Sequence, residues 1–546
     1  MATFTRNSTA YLQDGTLVNT NLPRFEPGRF GQAVMIEEGV TNLLSANQSS
    51  MEAGANADGI SDGWSFWSSD ASRTHIFSRP TALHQGTFSQ RAEITSATTA
   101  ADTTIISSII TGTFGGLAYT TSVYLLSNTN KMRVHARYWD SAGVFIDDSP
   151  FSTAAPANQL TRLTLTHTAP INAARMSLYI RGITLAGEWF QVDSVQFEQR
   201  PYATSWQLGG TPRAAETLTV PSAGVLSPTE GTIEFWVNLG IGSQSYLFST
   251  RLGTETNNNA LFIYGTSVGT ASQTMRALIG TGSGFVITPI ISTPRGVWNY
   301  IACRWTATGL RLTINSTTVT VARSSAGVFD TNAWVGSGVE SHQANSLIDD
   351  LRISNRARTD QEILDAFASG QPLAVDSNVT ALYNFDNSLQ SAVVLHTGTT
   401  AVTSVPVSVR NPGLNHVGLA PVNVVPVSPP VSPRFSYAGT TPVEAVPVAE
   451  LRPGLSHTGL SGVQAVPVAA VAPHRFNYVG LTPAAVVPVA PITPASFNRV
   501  GLSPAIVAPV SKITVLPEIR NPTRVIIEDS RTEVIIEDSR TEVLVG

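Results

Sequence analysis

One short pattern returns five times near the C-terminal end of this chain, and it limits the fold more than any other feature. Pro-Val recurs at Pro406, Pro426, Pro447, Pro467, Pro488 and Pro509, a step of 20 or 21 residues. A glycine keeps the same step at Gly418, Gly439, Gly459, Gly480 and Gly501. Self-similarity at a fixed period means one small structural unit used repeatedly, and such an array serves as a stalk, a wrap or a lattice contact. A fully extended repeat would reach ~68 Å, so a compact unit must fold back at its glycine and prolines. Each repeat therefore reads as two short strands, the apolar one ending in Val-Pro-Val or a close variant. Proline removes a ladder donor, which predicts that these strands sit at sheet edges or bulges. From 401 to 515 the acids are Glu444 and Glu450, against five arginines, one lysine and eighteen prolines. So many uncharged apolar positions need cover, which predicts oligomerisation or docking on another protein.

The remaining composition points the same way. At 546 residues the chain needs roughly three or four domains. A net charge of -5 with 13% charged residues implies neither a nucleic-acid surface nor a strongly acidic one. Gly, Pro, Ser, Thr, Val and Ala dominate, so the chain reads as all-β with many turns. The single cysteine, Cys303, excludes a disulfide framework within the chain and reads as a buried inert thiol in a strand. The N-terminus shows no apolar signal region, and no stretch approaches the ~18 apolar residues of a membrane span. The expectation is a protein made in a cytoplasm, soluble until assembled, without membrane insertion.

Taken in order, residues 1–45 form a lead-in, with Ala33–Glu38 as a strand. Its phrase PRFEPGRFGQAVMIEEGVTNLL resembles the opening of tailed-bacteriophage structural proteins, where a β-sandwich follows. Residues 46–200 alternate short strands and polar turns, as a sandwich or jelly roll requires. Expected strands are Tyr119–Leu126, Met132–Trp139, Leu160–Thr168, Met176–Ile180 and Phe190–Phe197. LTRLTLTHTAPINAARMSLYIRG and EWFQVDSVQFEQ resemble the jelly-roll carbohydrate-binding modules of glycanases. A linker, 201–214, follows. Residues 215–388 resemble the laminin-G/concanavalin-like jelly roll through GTIEFWVNL, VWNYIACRW and LIDDLRISNRARTDQEILDAF. Within it, Thr359 and Glu362 form a capping box that starts a helix over Asp360–Phe367. The repeat array occupies 389–515. The tail, 516–546, holds two identical copies of IIEDSRTEV, at Ile526–Val534 and Ile535–Val543. Nine is odd, so on one straight strand the copies would face opposite sides. A turn at Asp-Ser-Arg would let each copy supply one short strand on the same side. This tail resembles the tandem endings of phage head and tail proteins.

Trp64, Trp67, Tyr138, Trp139 and Trp189 lie in the first sandwich, where core filling and sugar stacking compete for aromatic rings. The resemblance implies stacking platforms, and Trp64, Trp67 and Trp139 are the candidates because polar or turn residues flank them. Trp236, Trp298 and Trp305 sit inside strand patterns and read as core. The resemblance also implies a structural Ca²⁺ held by Glu52 and Asp193, clipping opposite ends of the sandwich. Asp349 and Asp350 are a second cation candidate, set against a pair salt-bridged to Arg352 or Arg356. His416 and His457 share a phase with Tyr437, Tyr478 and Arg499, and read as interchangeable half-polar positions. No nucleophile elbow, Walker loop, HExxH or paired-carboxylate phrase stands out. The resemblances together imply a non-enzymatic bacteriophage virion fibre, trimeric as phage fibres are, that requires no cofactor. Its repeats would mediate trimerisation or attachment to other virion proteins, and its jelly rolls would bind host-surface glycans. The alternatives are a capsid decoration protein with ligand-free spacers, and a polysaccharide depolymerase.

Overall fold

The computed structural model describes residues 2–391, apart from 55–57, 69, 98–101, 243–244, 252–259, 267–270, 339–341 and 390, and strands between 393 and 545. Its sheets form two β-sandwiches and a stack of parallel strands.

In the first sandwich the expected strands form as Ala118–Ser127, Arg133–Trp139, Thr161–Thr168, Arg175–Ile183 and Trp189–Glu198. Period-two alternation builds them. In Thr161–Thr168, Leu163, Leu165 and His167 are buried while Thr164, Thr166 and Thr168 are exposed. One sheet runs in the order Phe145–Asp148, Arg133–Trp139, Arg175–Ile183, Thr103–Ser107, Trp64–Ser68, with Ile110–Thr111 alongside. The other runs Thr161–Thr168, Ala118–Ser127, Trp189–Glu198, Gln90–Ser96, Thr74–Ser78. Val123, Leu125, Val134, Ile180, Phe190 and Phe197 fill the space between them.

The second sandwich corrects the expected boundaries. The segment 1–45 is not a separate lead-in, because it supplies strands to the later jelly roll. Thr3–Thr5 pairs antiparallel with Thr217–Pro221 in one sheet. Gln32–Ile36 pairs with Ser346–Ser354 in the other, and Arg24–Pro27 with Gln32–Ile36. Phe4, Val34 and Ile36 share a core with Leu218, Phe235, Cys303, Trp305 and Ile348. The first sandwich is thus inserted into the second, between Ile36 and Thr217. Trp236 and Trp305 are buried, Trp298 is half-buried, and burial pushes the Cys303 thiol up to about 12. Both halves of the capping box close on the helix Asp360–Ser369, which ends at Gly370 with φ of 59°.

Where the inserted chain leaves and returns, five buried charges interlock. Glu216 accepts from Arg6 Nη1 at 2.8 Å and from Arg24 Nε and Nη2 at 2.8 Å each. Glu37 accepts from Arg24 Nη2 at 2.7 Å and lies 3.0 Å from Arg213 Nη1. Beside them Val40 bridges to Arg213, and Asn42 Nδ2 donates to the carbonyls of Val195 and Gln207 at 3.0 and 2.9 Å. The insertion is therefore joined by charge-assisted hydrogen bonds and a short ladder, not by a free linker.

In the repeat array each repeat contributes a six-residue and a three-residue strand, for example Gly413–Gly418 and Val422–Val424. Each pairs in parallel with its equivalent in the next repeat, so two parallel sheets rise with one rung per repeat. The register places His396, His416, Tyr437, His457, Tyr478 and Arg499 in one column. The Val-Pro-Val segments, for which edge placement is expected, lie outside the described residues. The three-residue strands from Val422–Val424 to Ala505–Val507 have neighbours on both sides. Pro494 marks an irregularity: its strand, Ile492–Val500, slips register between Ile492 and Ala495. The tail continues the second sheet, with Val525–Ile527 pairing in parallel with Val543–Val545. Two nine-residue copies make up the step between those strands.

Candidate functional site

The two outer faces of the first sandwich differ. The five-stranded face is covered along its central strand Trp189–Glu198, while Thr164, Thr166 and Thr168 on its edge strand are exposed. Asp193 Oδ2 accepts from the backbone N–H of Leu83, His84 and Gln85, and Gln191 Nε2 donates to the Thr81 carbonyl at 2.9 Å. Glu198 Oε1 accepts from Thr204 N at 3.0 Å, which binds the outgoing segment to the same face.

The six-stranded face is open, and its register lays side chains out in rows. Arg133, Arg181, Thr104 and Trp67 lie opposite one another in the first row. His135, Tyr179, Ile106 and Ser65 form the second. Asp148, Arg137 and Ser177 form the third, and Phe145, Trp139, Arg175 and Thr111 the fourth. A bulge between Tyr138 and Trp139 skips Ile146 and brings Phe145 opposite Trp139.

Arginines hold the aromatic rings apart and upright. Arg137 donates to both oxygens of Asp148, at 2.7 and 2.8 Å. Its guanidinium lies 5.2 Å from the Phe145 ring and 5.1 Å from that of Tyr179. That hydrogen bonding keeps the Asp148 carboxyl below its ordinary range, although partial burial opposes it. Arg181 pairs with Asp102 and lies 5.8 Å from the Phe151 ring. The segment carrying Phe151 follows the strand Arg133–Trp139 through two serines, whose backbone N–H groups donate to the carbonyls of Ala136 and Val134 at 2.8 and 2.9 Å. Ser149 Oγ accepts from Ala136 N at 2.9 Å and Ser152 Oγ from Val134 N at 3.1 Å. Pro150, between them, has no N–H to add. This sets Phe151 over His135 with ring centroids 4.7 Å apart, and Tyr179 at 4.9 Å on the other side. His135 is buried, neither ring nitrogen has a partner among the described residues, and burial pushes its pKa down to about 4.

Of the three tryptophan candidates, two belong to this face. Trp139 is half-buried in the fourth row and Trp67 is 45% exposed in the first. Three strands and six residues separate them, roughly 14 Å across and 20 Å along at normal sheet spacings. Trp64 does not belong to the face. It is 7% exposed, packs in the core, and donates from Nε1 to the Gln48 carbonyl at 3.0 Å. Phe145, 52% exposed, Phe151, 47% exposed, and Tyr179 are members that the sequence reading missed. Alternation within Arg175–Ile183 and Arg133–Trp139 was the available signal.

Glu52 and Asp193 do not fit a shared Ca²⁺. Both are occupied by N–H donors of one loop: Glu52 Oε1 by Thr87 and Phe88, at 2.8 and 2.9 Å, and Asp193 Oδ2 by the three donors above. Donor hydrogens aimed at those oxygens oppose a cation. No three His, Cys, Asp or Glu side chains among the described residues converge as a metal site. The clasp exists, and backbone amides make it. Chelation with EDTA is accordingly expected to leave the melting temperature unchanged. Asp193→Ala, which orphans buried donors, is expected to cost about 1–3 kcal/mol in urea denaturation.

Asp349 and Asp350 likewise hold backbone. Asp349 Oδ2 accepts from Arg29 N and Phe30 N at 2.9 and 3.0 Å, and Asp350 Oδ2 from Leu373 N at 2.8 Å. The expected ion pair with Arg352 or Arg356 is absent, because those arginines bind Glu234 and Glu362.

The family described as "Concanavalin A-like lectin/glucanases superfamily" matches residues 210–364. The second sandwich carries this jelly-roll lectin fold, completed by strands from the first 36 residues. No curated protein matches the chain. Among solved structures, the binding domain of botulinum neurotoxin DC is 12% identical over 29% of this chain and 40% of that one, with a TM-score of 0.23. The CBM22-1–GH10 modules of a Clostridium thermocellum xylanase, complexed with xylohexaose, are 17% identical over 32% and 30%, with a TM-score of 0.22. The CBM40 of a Ruminococcus gnavus sialidase, bound to sialyllactose, is 17% identical over 26% and 83%, with a TM-score of 0.21. The chain spans less than half the length of the first two.

Proposed function

We propose that this chain is a non-enzymatic glycan-binding protein whose first sandwich holds an oligosaccharide along its six-stranded outer face. One observation carries the reading: Trp139, Phe145, Tyr179 and Phe151 stand on an open sheet face, interleaved with Arg133, Arg137, Arg175 and Arg181. Aromatic rings give sugar rings an apolar surface, and guanidinium groups give their hydroxyls directed donors. The acids described on the face, Asp148 and Asp102, are paired with arginine, which supports a binding role for it.

The virion setting rests on the phage-like sequence phrases. In that setting the rung-stacked repeats form a stalk, the protein is a homo-oligomeric fibre, and the sandwiches project toward host-surface glycans. Capsid decoration is the second reading, in which the stacked repeats serve as a lattice contact; antibody labelling of intact particles separates head from tail.

The test of binding is a glycan array probed with the full chain. Binding to at least one glycan class is expected, and Trp139→Ala is expected to weaken it tenfold or more, as loss of a ring platform should. An array without binders, or hits insensitive to Trp139→Ala and Tyr179→Ala, sinks the assignment.

A further inference from the structure

A cleft of about 460 Å³ lies at the junction of the two sandwiches. It is within the size range of small-ligand pockets, which favour such junctions. The inserted sandwich contributes Tyr124 and Arg162, the outgoing segment Ser205 and Trp206, the hairpin of Ala10–Tyr11 and Leu17–Val18 its turn residue Gln13, and the host sandwich Ile241.

Arg162 gives the cleft its chemistry. Its Nη2 donates to Ser122 Oγ at 2.9 Å and to the Thr204 carbonyl at 2.6 Å, both neutral groups. Its Nε is buried without a hydrogen-bond partner; the buried Glu198 carboxylate acts on it through space, without a direct ion pair, and is itself bound by Gln196 and Thr204. The acid lining the cleft, Glu37, is already bound by Arg24, Arg213 and Ser205 N. A half-buried guanidinium with neutral partners favours an incoming anion.

The aromatic wall is fixed in advance. Tyr124 stacks on His84 with centroids 3.8 Å apart and an interplanar angle of 10°. His84 is itself held, Nδ1 at 2.9 Å from Ser194 Oγ and Nε2 at 3.1 Å from the Gln13 carbonyl. Trp206 is locked against Tyr11 with centroids 4.6 Å apart. We infer that this cleft is a second binding site, separate from the six-stranded face, for a single sugar acid. The carboxylate pairs with Arg162, the ring lies against Tyr124, and Gln13 and Ser205 reach its hydroxyls.

The test is calorimetric titration of the full chain with sodium glucuronate and, in parallel, glucose. Saturable binding of glucuronate is expected, at least tenfold tighter than glucose. Arg162→Met is expected to weaken it tenfold or more. Ile241→Trp, which fills the cleft without touching Arg162, is expected to abolish it. Three results overturn the inference: no saturable glucuronate binding, equal binding of glucose, or binding unchanged in both variants. Loss in Trp139→Ala with Arg162→Met unaffected would place the ligand on the six-stranded face, and equally overturns it.

Discussion

Replacing Glu216 with alanine is expected to lower the stability of the two-sandwich unit by about 3–5 kcal/mol, the usual effect of leaving a buried ion without its partner. Glu216 is fully buried and serves two arginines at once, Arg6 and Arg24. Both are themselves fully buried, so neither can turn to water when the carboxylate is gone. Glu37 cannot take over, because it already carries Arg24 and Arg213 and accepts from Ser205 N at 2.9 Å. A thermal melt should show a loss of roughly 10 °C, at 2–4 °C per kcal/mol for domains of this size. The cluster also gives an acid-side signature. Burial opposes the charge on Glu37, but Arg213 and Arg24 outweigh it and hold the pKa down at about 2. Its contribution is complete above the unfolded carboxylate pKa and disappears as pH falls toward about 2. A Glu216→Ala protein as stable as wild type would mean that these charges do not bind the insertion to its host.

The opposite pH dependence is expected from Asp350. Burial and then the neighbouring Asp349 raise its pKa to about 8, while burial raises Asp349 to about 6. A carboxyl whose folded pKa lies above its unfolded value holds a proton in the native state that the unfolded chain has released. Its stabilisation is therefore complete in acid and is lost as pH rises from the unfolded value of ~4 through the folded values of about 6 and about 8. Asp350→Asn keeps an oxygen for Leu373 N and suits the left-handed backbone there, φ of 50°. At pH 8.5 it should gain about 2–4 kcal/mol on wild type, given 1.4 kcal/mol per unit and mutual coupling of the two acids. At pH 4 the difference should vanish. Urea denaturation across this range decides it, and parallel curves for the two proteins would refute the assignment.

Much of the fold was legible because its signals are local. The five strands expected in the first sandwich, the capped helix at Asp360 and the two-strand repeat all follow from periodicity or capping chemistry. The insertion was not legible. Nothing local tells Ala33-Val34-Met35-Ile36 that its partner lies at Ser346–Ile348. A run without polar alternation did carry the message that both its faces are covered. The site was half legible for the same reason. Trp64 and Trp67 are three residues apart on one strand, so alternation sends them to opposite faces, and only Trp67 points outward. Tyr138 and Trp139 divide in the same way. Phe151 was hidden because its position over His135 depends on two serines, outside any regular strand, that bond Ala136 and Val134 through both hydroxyl and backbone N–H. Glu52 and Asp193 were expected to share a Ca²⁺ and instead accept backbone amides of the loop 83–88, because sequence cannot tell a carboxylate that holds a cation from one that holds backbone N–H groups.

The most direct measurement is hydroxyl-radical footprinting of the full chain with and without its tightest-binding glycan. Protection should concentrate at Trp139, Phe145, Tyr179 and Phe151, with Trp64 unreactive in both states. Protection confined to the second sandwich or to the repeats, with those four rings as reactive as before, would contradict a glycan site on the six-stranded face.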